Sequence, residues 1–185
     1  MTQSEIISKV RDILNEHGSA DVLSIGEDRV VLDEYIKSAI PDAVTMLGAK
    51  GYRVNVKSWT GLTDGKLPMD GVIGLLCLRL DTWKRAVSTV TAVGTPEYAV
   101  AMNEYTAPGP NRPMCYREGD YIVPLPVGTK IDIGEYNAAY DGTGINADDD
   151  TATAVCYMTA ALVMGMFGDD AAKQRLSDIS TNILV

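Results

Sequence analysis

The chain is poor in the groups that carry covalent and metal chemistry. Among its 185 residues there is one histidine, His17, and there are three cysteines, Cys77, Cys115 and Cys156. With no second histidine, a Ser-His or Cys-His dyad would have to be built on His17 itself, and no Gly-x-Ser-x-Gly elbow is present to meet it. The cysteines are odd in number and lie 38 and 41 residues apart with no Cys-x-x-Cys pair, which argues against a disulfide framework and against a structural zinc site. Cys77 falls in an apolar strand-like run and Cys156 in an apolar helix-like run, so buried, reduced thiols are expected. Residues 1–11 mix acidic and basic side chains without an apolar stretch, so no secretory signal is expected and assembly in a reducing cytoplasm is.

Basic residues are also in deficit, 16 Lys and Arg against 25 Asp and Glu, for a net charge of -9. A protein that grips nucleic acid needs a basic face to neutralise phosphates, so specific DNA binding is not expected. What is present is the composition of a folded protein, 46% hydrophobic and 22% charged. A chain of this length buries roughly 70% of its unfolded surface, enough for a core without staples. No internal repeat and no low-complexity segment interrupts it.

The apolar periodicity outlines the elements. Ile6, Val10, Ile13 and Leu14 predict an amphipathic helix that stops at His17-Gly18. Leu32, Tyr35, Ile36, Ala39, Ile40, Ala43, Val44 and Leu47 predict a longer helix closed by Gly48 and Gly51, with a kink or two nearly collinear pieces at Pro41. From Tyr52 the period becomes two, with Tyr52, Val54 and Val56 facing inward and Arg53, Asn55 and Lys57 outward. Thr63-Asp64-Gly65-Lys66 reads as a turn, residues 72–81 as a central strand and residues 87–93 as another strand. Thr95-Pro96-Glu97 opens a short helix expected to run through Tyr98, Met102 and Tyr105. Three prolines, Pro108, Pro110 and Pro113, make residues 107–113 an ordered loop or an arm. Glu118-Gly119 is expected to turn a hairpin that sets Tyr116 opposite Tyr121 and Arg117 opposite Asp120, and residues 129–136 to supply a further strand.

After Asp148-Asp149-Asp150 come eighteen residues, 151–168, without a charge. Length alone would admit a membrane span, but the strongly apolar part is short, is diluted by Ala160, Ala161 and Gly165, and is flanked by aspartates. A helix buried in a bundle or between subunits is expected. A last helix over 169–183 presents Ala172, Leu176, Ile179 and Ile183 as one docking face. The expected fold class is therefore α+β, one domain over 1–185. Its helical body, 1–50 and 148–185, is a bundle of the N- and C-terminal helices. Its central antiparallel β insertion covers 52–136.

The motifs that invite a chemical reading have plainer ones. Residues 61–67 resemble a phosphate loop, but only three residues separate the glycines and Leu67 stands where a magnesium-holding Ser or Thr is needed, so a turn accounts for them. His17 fits as a donor or cation at a helix C-terminus. The acidic run fits as a cap provided by Asp150 at the start of the following helix, and Asp169-Asp170 likewise. No catalytic, cofactor or metal residue is assigned. Nine tyrosines against one phenylalanine favour half-wet contacts of the kind enriched at interfaces. The candidate protein-contact residues are accordingly Tyr98, Tyr105, Pro108, Pro110, Arg112, Pro113, Tyr116 and Tyr121.

Two stretches carry a resemblance. They are Asp33-Glu34-Tyr35-Ile36-Lys37-Ser38-Ala39-Ile40-Pro41-Asp42-Ala43, and the segment from Trp83-Lys84-Arg85-Ala86-Val87 through Thr95-Pro96-Glu97-Tyr98, Asn103-Glu104-Tyr105-Thr106 and Arg112-Pro113. In these, and in the order of its parts, the chain resembles the head-tail connector, or ring, proteins of tailed bacteriophages, especially those of crAss-like phages and related prophages. The resemblance implies a virion structural protein that docks on the portal or on a neighbouring ring or tail protein. It implies a cyclic homo-oligomer around the channel through which DNA passes unbound, and no membrane partner. The β insertion is longer than in the mostly helical connectors. Two other readings stay open: a small metal-binding module or enzyme using Asp141 and Asp148-Asp149-Asp150 with Asn146, and a phage tail or host-surface adhesin protein.

Overall fold

A computed structural model of the chain describes residues 1–17 and 29–184. Five helices are described: α1 (Gln3–His17), α2 (Arg29–Ala49), α3 (Pro96–Ala101), α4 (Asp149–Met166) and α5 (Asp170–Ile183). The six strands are β1 (Val56–Ser58), β2 (Leu67–Pro68), β3 (Val72–Leu80), β4 (Met114–Glu118), β5 (Tyr121–Leu125) and β6 (Ile131–Ala138). The fold is α+β, with N- and C-terminal helices flanking a β region. Internal contacts divide the chain into two compact units, a helical one of Met1–Val56 with Ala139–Val185, and a β-rich one of Lys57–Ala138.

In the helical unit α4 is the hub, packing against α1, α2 and α5. Its buried residues include Ala152, Val155, Met158, Thr159, Ala161 and Met164, which lie around its whole circumference. This is why the stretch carries no charge: a side chain on any face would have to be desolvated. No described helix is long and apolar enough to cross a membrane. Two fully buried polar side chains in this packing bond to backbone carbonyls, Thr159 Oγ1 donating to Val155 O at 2.8 Å and Ser180 Oγ to Ala154 O at 2.8 Å. Ser180, rather than Ile179, thus completes the buried face of α5 with Ala172 and Leu176.

Both long helices stop by the same device. Gly51, at φ +91°, follows α2, with Gly51 N donating to Gly48 O and Tyr52 N to Leu47 O. Gly168, at φ +78°, follows α4, with Gly168 N donating to Gly165 O and Asp169 N to Met164 O. This paired pattern satisfies the last carbonyls and requires a left-handed residue, which glycine adopts without a Cβ clash. The helix around Pro41 is one uninterrupted run of 21 residues instead of two pieces, and Thr45 Oγ1 donates to the Pro41 carbonyl at 2.8 Å. The end of α1 is at His17, and the glycine expected to stop it, Gly18, lies outside the described residues.

The strand read from Tyr52 is a correction. Only Val56–Ser58 is a strand, and Asn55, assigned to the wet face, is 2% exposed. Its amide explains the burial: Nδ2 donates to Ala139 O at 3.2 Å and Oδ1 accepts from Asn146 N at 3.2 Å. Val56 N donates to Asn146 O at 2.9 Å, and Asn146 Nδ2 donates to Val56 O at 2.8 Å. The two asparagines thereby tie the point where the chain leaves the helical unit to the point where it returns.

In the β-rich unit the sheets have strand orders β1-β6-β3 and β2-β5-β4. The long apolar run read as a central strand, β3, is an edge strand, and β6 is the middle one. The expected strand over 87–93 is instead an extended segment with two single bridges, Val87 to Leu78 of β3 and Thr91 to Tyr116 of β4. It joins the free edges of the two sheets. Both sheets share one apolar cluster, Trp59, Leu67, Leu78, Leu80, Trp83, Cys115 and Ile122. The two indoles are also satisfied, Trp59 Nε1 donating to Pro68 O at 3.0 Å and Trp83 Nε1 to Pro126 O at 2.7 Å.

The hairpin turns one residue later than its sequence suggests. Gly119-Asp120 is the turn and the pairs are Glu118 with Tyr121, Arg117 with Ile122 and Tyr116 with Val123. Gly119, at φ +58°, takes the first central position, where a type II′ turn favours glycine. This register sends Cys115 and Ile122 into the core, and turn geometry with burial outweighs the cross-strand pairs Tyr116-Tyr121 and Arg117-Asp120. Replacing Asn55 by Ala is expected to cost about 1–3 kcal/mol, because buried polar partners lose their hydrogen bonds. Urea unfolding of the variant measures this, and an unchanged midpoint would show that the asparagine tie contributes nothing.

Candidate functional site

The α3 region is built by a proline and a cap. Thr95 Oγ1 accepts from Tyr98 N at 3.3 Å and Pro96 fills the first helical position, as Thr-Pro-Glu predicts. The helix ends at Ala101, short of Tyr105. Beyond it, Asn103 Oδ1 accepts from Tyr105 N at 2.9 Å and Thr106 Oγ1 donates to Val100 O, so a fixed turn projects the Tyr105 ring, 88% exposed, outward. In so short a helix only Ala101 is buried, and Val100 and Met102 are left exposed, as is Val93 just before it.

The proline segment is an ordered loop. Gly109 and Arg112 form a bridge, with Arg112 N donating to Gly109 O at 2.9 Å, and Pro110 O accepts from Lys84 N at 2.8 Å. Between this loop, residues 85–91 and α3 lies a cavity of about 570 Å³. Pro108, Arg112 and Pro113 line it, together with Arg85, Glu97 and Val100. Cys115 lies at its floor, buried, and burial pushes its thiol up to about 12. A thiol held neutral at that depth is a packing group.

The remaining contact candidates divide. Tyr98 and Tyr116 meet each other edge to face, with ring centroids 5.2 Å apart, and burial raises the Tyr116 phenol above its ordinary value. Tyr116 therefore pairs with Tyr98 and not with Tyr121. Pro110 sits at the exposed loop tip, and Tyr121 lies half-exposed at the start of the middle strand β5 by a second cleft, with Met69, Asp70 and Arg117. Of the eight candidates the structure thus brings Pro108, Arg112 and Pro113 to one groove and leaves Tyr121 elsewhere. Sequence reasoning missed Val100, Arg85, Met102 and Val93. The available signal was the unusual density of apolar residues with no buried period in residues 93–105.

No protein-family model matches the chain, and no curated protein matches it either.

The residues considered for chemistry are spread over separate structural tasks. The carbonyl of His17 accepts from Arg175 Nη2 at 2.8 Å and its ring lies 6.4 Å from that of Tyr157. Asp141 Oδ1 accepts from Thr143 N and Oγ1 at 3.0 and 2.6 Å. The cap of α4 is Asp148 and not Asp150: its Oδ1 accepts from Thr151 N at 2.7 Å, and these bonds to Thr151 hold its carboxyl below the usual range. Asp169 caps α5 in the same way through Ala172 N at 2.9 Å. Among the described residues no three His, Cys, Asp or Glu side chains converge as a metal would require. Asp64 and Gly65, at φ 51° and 75°, form the tight turn of the glycine-containing loop, which Lys66 closes by pairing with Glu118.

Two outcomes follow from these placements. Asp148→Ala should lower stability at neutral pH by about 1 kcal/mol, as loss of an N-cap does, whereas Asp149→Ala and Asp150→Ala should change it much less. Because the folded carboxyl of Asp148 titrates below its unfolded value, the cap is fully present above about pH 4 and is lost as pH falls through the folded value, so the deficit should shrink in acid. Urea melts between about pH 2.5 and 7 would check this. With iodoacetamide near pH 8, the half-buried Cys77 should be alkylated first. Cys115 and Cys156, whose thiols burial raises to about 12 and about 11, should react only on unfolding.

Proposed function

We propose that this chain is a non-catalytic virion structural protein, a ring subunit at the head-tail junction of a tailed bacteriophage, assembled in the host cytoplasm. The observation that carries the reading is the groove beside α3, where the exposed Val100 shares the lining with a proline-stiffened loop and two further exposed apolar side chains, Met102 and Tyr105, follow directly after the helix. An ordered backbone that holds large apolar groups in water is poised for a partner, because its ordering cost is already met before binding.

The distribution of charge supports the same reading. The β-rich unit holds 8 Lys and Arg against 9 Asp and Glu, net -1, which leaves -8 of the chain's -9 for the helical unit. In a ring, such a body would repel the DNA that slides through the channel, while the near-neutral β-rich unit could approach portal, ring or tail neighbours without that repulsion. The likeness of residues 33–43 and 83–113 to phage ring proteins points to the same role. The alternative of a metal-binding module draws no support from Asp141 and Asp148, whose carboxylates are occupied by Thr143 and Thr151. The adhesin alternative has no observation in its favour.

Negative-stain microscopy and sedimentation of the purified chain, alone and with the portal protein encoded in the same genome, test the proposal. Annular particles or a stable complex with the portal are expected. Val100→Ser/Tyr105→Ser should weaken assembly by about tenfold or more while leaving thermal unfolding nearly unchanged. A chain that stays monomeric and ignores the portal under all conditions would contradict the reading.

A further inference from the structure

We propose that the groove beside α3 receives the acidic helical unit of a second copy of this chain. The inference rests on the reading of the chain as an assembly subunit and names the occupant of its docking groove. Its first support is local charge. Arg85 and Arg112 line the groove with a single carboxylate, Glu97, and neither guanidinium has an ion-pair or hydrogen-bond partner among the described residues. Among the other cations of the same unit, Lys66 is engaged by Glu118, Arg79 by Asp132 at 3.6 Å and Arg117 Nε by Gly119 O at 3.1 Å, while Lys84 and Lys130, away from the groove lining, share the lack of a side-chain partner among the described residues. Two guanidinium groups free to pair thus line the groove beside the exposed Val100, the combination that an acidic, partly apolar partner surface would satisfy.

The second support is the exclusion of like-with-like pairings. Groove against groove would oppose Arg85 and Arg112 to their own copies. Helical unit against helical unit would oppose two bodies of net charge -8. Like charges placed face to face cost free energy, whereas groove against helical unit relieves both. Each copy offers one surface and accepts the other, so the contact closes a reciprocal pair or, where it is not reciprocal, propagates from copy to copy. The helical unit also supplies the apolar half of the match, since Tyr35, Met46 and Met166 are exposed on it.

The test uses the full chain. Unlabelled protein carrying p-benzoylphenylalanine at position 100 is mixed with nitrogen-15-labelled protein, irradiated and digested for mass spectrometry. Cross-links from position 100 to labelled peptides of the helical unit are expected. Their yield should fall about fivefold or more in the Arg85→Glu/Arg112→Glu variant or in about 0.5 M NaCl. Cross-links confined to one chain, or reaching the β-rich unit of the second copy, overturn the inference, and so does a yield indifferent to charge reversal. In those cases ring formation or portal binding by the unmodified protein still supports the subunit reading. A chain that joins neither itself nor the portal removes both.

Discussion

The enclosure of α4 is the constraint on which the rest of the helical unit depends. A helix with no charged residue from Thr151 to Met166 cannot face water on any side without cost, and it is surrounded by α1, α2 and α5. Those partners come from both ends of the chain, so residues 57–138 must leave this unit and re-enter it. The crossing is made at one place, where Asn55 and Asn146 bond to the outgoing and returning backbone. Burying the Asn55 side chain is tolerable only because its amide is engaged, and that requirement in turn fixes the two strands of chain in register.

With its ends so tied, the β-rich unit is free to be organised around its own cluster of Trp59, Trp83 and their aliphatic neighbours. Residues 87–91 join the edges of β3 and β4 with single bridges, which leaves much of that segment available to wall a groove instead of completing a sheet. The glycine, proline and threonine caps around α3 then hold apolar side chains outward. The division of labour is chemical as well as geometric, since almost all of the net charge lies on the helical unit and the unpaired arginines of the groove on the other.

Much of this was legible in the sequence where one local rule dominated. The helical period of Leu32 to Leu47, the uncharged α4 stretch and the Thr95-Pro96 start each report a single strong preference, and each element is found close to its expected place. The misreadings fall where tertiary demands compete with local ones. Asn55 alternates like a wet strand residue but is buried, because hydrogen bonding to distant backbone compensates its desolvation. The hairpin register follows Gly119 and the burial of Ile122, which no pairing preference of Tyr116 or Arg117 could override. The β3 run is apolar enough for a central strand yet lies at an edge, its other side bridged only by Val87. Of the contact residues, the prolines and Arg112 were legible as a loop, but the exposure of Val100 and Met102 depends on the helix stopping at Ala101, which composition does not encode.

Hydrogen-deuterium exchange, recorded on the chain alone and on the assembled form, tests most directly whether a closed helical core and an open docking surface coexist in one molecule. The amides of α4 should exchange slowest in both states, while those of residues 93–106 should exchange readily in the free chain and become protected on assembly. Rapid exchange in α4, or protection on assembly that spares residues 93–106, would contradict the account.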